Sequence, residues 1–220
     1  MIRDEGVIKF DCRFHKSPAL SLQQTKRLIE YRQKLFGLNL IGVYPDGIGF
    51  GNISERCQPR DRFIISSSQT GHLDIVEAEH FSLVTKYSIE ENWLECTGAH
   101  AASSESLTHA MIYRQFPQIN AVIHVHHHAA WLRLQGLVHT TAADVPYGTP
   151  AMAAEVARLS ADVAAEVARL SADVAAGGSP LIAQKILVMA GHEDGIISFG
   201  VDLEAAFRTL TDNLQPELAC

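Results

Sequence analysis

His124 and His126 stand at positions i and i+2 of an apolar, β-branched run, Ala121-Val122-Ile123-His124-Val125-His126. On a strand, that spacing sends both imidazoles to the same side. Burying two imidazoles costs free energy unless something binds them. The pair therefore reads as two ligands of one metal ion, with a third to come from elsewhere. His192 is that third ligand, in Gly191-His192-Glu193-Asp194-Gly195 directly after a second apolar run. Glu105, in Ala102-Ser103-Ser104-Glu105 at the start of a helical pattern, adds a carboxylate. Three histidines and a carboxylate leave coordination positions open to a substrate, as a catalytic metal site requires. His109, one helical turn past Glu105, either orients that carboxylate or is a surface histidine. His100, His127 and His128 are spare imidazoles to which no ligand role is given.

The elements that must position these groups alternate between helix and strand. Ser21 caps a helix over residues 21–36, Gln24 completes a capping box, and Gly37 stands where a helix-terminating glycine belongs. Short strands are expected over 38–44 and 48–53 around the turn Pro45-Asp46-Gly47, and another over 62–67. A polar loop follows, Ser66-Ser67-Ser68-Gln69-Thr70-Gly71. Further strands are expected at 83–89, 93–97, 121–126 and 185–190, and helices at 104–116, 129–135 and 202–214, the last capped by Asp202. This alternation gives an α/β or α+β fold around one sheet, and no linker composition divides the chain.

Residues 153–163 and 164–174 both read AAEVARLSADV. Val156, Leu159, Val163, Val167, Leu170 and Val174 recur at helical spacing, Thr149 and Pro150 suit the start of the helix, and Gly177 and Gly178 suit its end. An eleven-residue insertion is about three helical turns with a drift of only ~20°, so the apolar face stays in register. The two identical copies read as a tolerated tandem duplication that lengthens one helix.

Composition sets the outer bounds. In 220 residues, Lys and Arg number 18 against 25 Asp and Glu, a formal charge of −7, which disfavours a general nucleic-acid or anionic-membrane binder. Histidine is abundant at 11, while the four cysteines form no CxxC pair and read as free thiols in a reducing compartment. The charged N-terminus lacks the apolar core of a signal peptide, and no stretch approaches the ~20 apolar residues that would span a bilayer. The expectation is a soluble cytoplasmic protein.

Four motifs in order, Gly51-Asn52-Ile53-Ser54-Glu55-Arg56, Ser103-Ser104-Glu105 with His109, His124-Val125-His126, and His192, make the chain resemble the class II aldolase/adducin family. Its members related to fuculose-phosphate aldolase and ribulose-phosphate 4-epimerase are closest in kind. The resemblance runs from about Leu22 to Leu210. It implies a single α/β domain over residues 1–220, a three-layer fold whose central, mostly antiparallel β-sheet is flanked by helices, assembled as a homotetramer with active sites near subunit boundaries. It implies that His124, His126 and His192 hold Zn2+, with Mn2+ or Co2+ able to substitute, and that Glu105 both binds the metal and acts as acid/base. Asn52, Ser103 and Ser104 match phosphate contacts, and Ser67, Ser68 and Gly71 fall where the family has another phosphate-binding turn. Tyr147 matches a tyrosine that supplies a proton across a subunit boundary. Two departures stand out: GHEDG replaces the simpler Asn-His-Gly around His192, and Gln69 occupies a position where glycine is common.

The implied function is a metal-dependent lyase that cleaves a small, phosphorylated ketose by a retro-aldol step through a metal-stabilised enediolate. Two alternatives stand beside it. One is a sister epimerase or dehydratase of the ribulose-phosphate 4-epimerase or methylthioribulose-phosphate type. The other is a non-catalytic, adducin-like interaction module. Adducin-type members lose the metal ligands, and retention of three histidines and Glu105 here favours an enzyme.

Overall fold

A computed structural model describes residues 7–146, 148–159 and 185–218. The strands are β1 (Asp11–Lys16), β2 (Gly42–Val43), β3 (Gly49–Phe50), β4 (Asn52–Cys57), β5 (Arg62–Ser66), β6 (Phe81–Ser88), β7 (Trp93–Gly98), β8 (Ala121–His126), β9 (His139–Thr140), β10 (Ile186–Val188) and β11 (Gly195–Gly200). The helices are α1 (Leu22–Gly37), α2 (Ser106–Gln115), α3 (His128–Leu134), α4 (the helical residues 150–159) and α5 (Leu203–Leu218). Nine strands form one sheet in the order β1-β7-β6-β5-β4-β8-β11-β10-β9, and β2 and β3 form a separate hairpin. The sheet is mixed. Its interior pairs are antiparallel, while the edge strands β1 and β9 pair in parallel with β7 and β10.

Apolar side chains cover both faces, so the fold has three layers. Ile53, Ile64, Ile123, Val125 and Ile196 pack against α1 and α5 on one face. Phe63, Ile65, Val122, Ile197 and Phe199 pack against α2 and α4 on the other. Strand β8 is buried along its whole length. Its odd-numbered residues serve the first core, and its even-numbered residues, Val122, His124 and His126, face the α2 side.

Local chemistry accounts for several element ends. Ser21 Oγ accepts from Gln24 N, and Gln24 Oε1 accepts from Ser21 N, which completes the capping box of α1. At the other end of α1, the left-handed residue is Asn39, with φ 56°, rather than the expected Gly37. Asn tolerates that region because its short polar side chain can bond locally. Asp202 Oδ1 accepts from Ala205 N at 2.8 Å and starts α5. Thr149 Oγ1 accepts from Met152 N at 3.2 Å and starts α4.

Other boundaries differ from expectation. The segments 38–44 and 48–53 form only two-residue strands, because Gly51 at φ 77° breaks the second before β4 begins. Helix α2 starts at Ser106, not 104, with Glu105 at its N-cap position. Strand β10 keeps only the centre of 185–190, and α5 runs on through Pro216 to Leu218. Strands β1, β9 and β11 were not expected.

The second copy of the duplication, the last four residues of the first, Gly177 and Gly178 lie outside the described residues, as does Tyr147. The part of the first copy that is described buries Ala153, Val156 and Leu159. Among the described residues, no helix is long and apolar enough to cross a membrane.

Candidate metal centre and anion pocket

Register brings the histidines together. In the antiparallel β4–β8 pair, Asn52 lies opposite His124, and in β8–β11 His126 lies opposite Gly195. The β10–β11 connection closes on itself: Met189 N donates to Gly195 O, His192 N to Met189 O, and Gly195 N to His192 O. His192 therefore sits in a tight turn beside the end of β8. Gly195 is required there, because a Cβ would collide with the His192 ring.

Ligand nitrogens of His124, His126 and His192 all lie within 4.8 Å of one another, and all three residues are buried. His126 Nε2 and His192 Nε2 are 2.9 Å apart. His124 Nδ1 is 3.2 Å from Asn52 Nδ2, while His124 Nε2 is buried without a hydrogen-bond partner. Burial lowers the His124 pKa to about 3 and that of His192 well below its usual value, the latter helped by neighbouring His124 and Lys9. Both imidazoles are therefore neutral at neutral pH and keep a lone pair for a cation. Three buried imidazoles whose ring nitrogens converge at that spacing, with His124 Nε2 otherwise unpartnered, fit a divalent metal.

Glu105 stands outside this cluster of three. Its side chain is buried, and neither carboxylate oxygen has a hydrogen-bond partner. Burial pushes its pKa up to about 7, against smaller opposing effects from Thr108 and Lys9. Because Lys9 acts on both Glu105 and His192, the carboxyl and the cluster share one electrostatic neighbourhood. His109 is not a surface histidine, and its imidazole is not bonded to the Glu105 carboxylate. It is fully buried, its Nδ1 is 2.7 Å from Ser54 Oγ, and its Nε2 lacks a partner.

The six residues expected to contact phosphate, Asn52, Ser67, Ser68, Gly71, Ser103 and Ser104, line one pocket together with Gly51 and Thr70. Backbone bonds tie its two serine segments together: Ser68 N donates to Ala101 O at 2.8 Å and Ser103 N to Ser66 O at 3.1 Å. Gly71 is packed so closely that a Cβ would strike the Gly42 carbonyl of the β2–β3 hairpin. Gln69 adopts φ 58°, the left-handed conformation that explains why glycine suits this position. The Ser67 hydroxyl is engaged with Ser82 Oγ at 2.8 Å, and Ser103 Oγ accepts from Glu105 N at 3.3 Å.

Sequence reasoning missed two groups at this site. Arg32 of α1 is buried and donates from Nη2 to the carbonyls of Thr70 (2.9 Å) and Gly71 (3.1 Å), bracing the loop behind the pocket. Tyr44, at the β2–β3 hairpin, has its hydroxyl 2.6 Å from His126 Nδ1. Each sits far along the chain from what it touches, and no local spacing marks it.

A family model described as Class II Aldolase and Adducin N-terminal domain matches residues 45–212, which span the histidines, Glu105 and the pocket. The chain belongs to this family. Solved structures share the family's fold with it. An L-fuculose 1-phosphate aldolase is 18% identical with a TM-score of 0.61, covering 91% of this chain and 85% of its own. The L-fuculose-1-phosphate aldolase of Thermus thermophilus is 18% identical with a TM-score of 0.55, covering 90% of this chain and 94% of its own. A sugar-phosphate aldolase of Thermotoga maritima is 14% identical with a TM-score of 0.61, covering 90% and 94%. No curated protein matches the chain.

Proposed function

We propose that the protein is a zinc-dependent lyase that cleaves a small phosphorylated ketose by a retro-aldol reaction. The observation that carries this reading is adjacency. Asn52 borders the three-histidine cluster through His124 and also lines the anion pocket. A small ligand could thus lodge a phosphate at one end and present its oxygens to the histidines at the other.

His124, His126 and His192 would hold the metal, whose Lewis acidity would stabilise negative charge on the substrate's carbonyl and hydroxyl oxygens. Asn52, Ser68, Ser103, Ser104 and the backbone around Gly71 would hold the phosphate, with Ser67 supporting the loop, and so fix the reacting carbons against the cluster. Glu105 would carry the proton. As a buried carboxyl with a raised pKa, it can exist in either state near neutrality, which suits general acid/base work. It would return a proton to the enediolate carbon left when the carbon–carbon bond breaks. The proton that leaves the substrate hydroxyl needs a second acceptor: Tyr147, which would supply its phenol proton in the condensation direction, would take that proton back as a phenolate in cleavage, acting across a subunit boundary of a homotetramer. A soluble, cytoplasmic setting belongs to the same reading.

The test is aldehyde release by zinc-loaded protein from a panel of phosphorylated and unphosphorylated ketoses. Release from a phosphorylated ketose, lost in His124→Ala, is expected. Inversion at a carbon without release would identify an epimerase, loss of water a dehydratase, and no turnover on any substrate would sink the enzymatic reading.

A further inference from the structure

The β2–β3 hairpin carries Tyr44 and Phe50 onto the back of a proposed ligand. Phe50 stacks on the His126 ring with centroids 5.3 Å apart, and Tyr44 packs on Phe50 at 4.6 Å. Tyr44 Oη lies 2.6 Å from His126 Nδ1 and donates to Asp194 Oδ2 at 3.3 Å. The other Asp194 oxygen, Oδ1, is 2.7 Å from His128 Nδ1. A phenol has one proton to give. Were that proton directed at the carboxylate, which only accepts, the phenol oxygen would accept from His126, and His126 Nδ1 would carry the ring proton. Nε2 would then keep its lone pair on the side where His192 Nε2 lies.

We propose that Tyr44 and Asp194 are positioning residues of the metal centre. Together they form a relay, His126 Nδ1–H to Tyr44 Oη–H to Asp194 carboxylate, that fixes the tautomer and ring orientation in which His126 can bind a divalent cation. Outer groups of this kind raise ligand basicity and hold ligand geometry. The relay gives the GHEDG turn a purpose. Asp194 holds φ at 69°, a conformation most residues avoid, and its two oxygens are both used. Glu193, beside it, is exposed. The extra negative charge beside His192 is thus directed to the outer side of His126 and not to the anion pocket.

The inference rests on the metal-dependent reading above, and its test separates the two. Zinc affinity is measured by competition with a chromophoric chelator for the wild type, Tyr44→Phe, Asp194→Asn and His124→Ala. Nitrogen-15 shifts of the histidine rings are recorded on metal-free wild type. Tyr44→Phe keeps the ring against Phe50, and Asn tolerates the left-handed backbone of Asp194. The expected result is zinc bound about 10–100-fold more weakly by Tyr44→Phe, a smaller loss in Asp194→Asn, whose amide oxygen still accepts, and a His126 Nδ1–H tautomer in the wild type. Wild-type affinity in both Tyr44→Phe and Asp194→Asn, with binding lost in His124→Ala, overturns the relay and leaves the metal reading standing. A wild-type Nε2–H tautomer at His126 also overturns the relay. Wild-type affinity no tighter than that of His124→Ala overturns both.

Discussion

Glu105 occupies a site where its charge is poorly served, buried with both oxygens unpaired and its pKa raised to about 7. Such a group costs stability, and function is a physical reason for keeping one. The assignment of acid/base work to it predicts that Glu105→Gln lowers kcat by about 10²–10⁴-fold while zinc stoichiometry is kept, since the three histidines cluster without it. Steady-state kinetics beside metal analysis of the same preparation check this, and an unchanged kcat contradicts it. At this scale much of the candidate site was legible in the sequence. The i, i+2 spacing of His124 and His126 is a local signal, and His192 and Glu105 stand in short motifs. Tyr44 and Arg32 were not legible, because each acts across a long sequence separation: 82 residues from Tyr44 to His126, and 38 from Arg32 to Thr70. His109 was half read: its nearness to Glu105 on the helix was visible, but its bond to Ser54 on β4 depends on the packing of α2 over the sheet.

Elements carried different amounts of information. The extent of β8 could be read from sequence because it is buried on both faces and so written almost wholly in apolar residues around its histidines. Strand β1 reads Asp-Cys-Arg-Phe-His-Lys, polar enough to pass for a loop, and is held by parallel pairing at the sheet edge and by Cys12 and Phe14 packing on the core. Strand β11 is bracketed by Gly195 and Gly200, and those glycines signal a loop even though their packing against His192 and α5 is what requires them. The duplication makes its prediction here. Residues 153–163 alone still supply Ala153, Val156 and Leu159 to the core. Deleting residues 164–174 is therefore expected to leave a folded protein with its zinc stoichiometry intact, as read by circular dichroism and metal analysis. Unfolding of the deletant would make the second copy structural.

The whole molecule carries the cost of its site when metal is absent. His109, His124 and His192 have pKa values lowered by burial, so the unfolded chain, with ordinary histidines near 6.5, binds protons that the folded chain refuses. Their contribution is intact above about pH 6.5 and is lost as pH falls below it. Glu105 has the opposite sign: its pKa is raised, so its contribution is full below its ordinary value and lost as pH rises through about 7. Three groups outweigh one between roughly pH 4.5 and 6.5. Metal-free protein should therefore lose stability on acidification there, by on the order of 2–3 kcal/mol per pH unit at most. Urea titrations at several pH values read this directly, and a flat profile would show that the histidines are not buried neutral. The central claim concerns the cluster itself. Purified wild type and His124→Ala, loaded with zinc, dialysed and analysed by elemental mass spectrometry, decide it. The account predicts about one zinc per wild-type chain and almost none in the variant; equal retention in both, or none in the wild type, would contradict it.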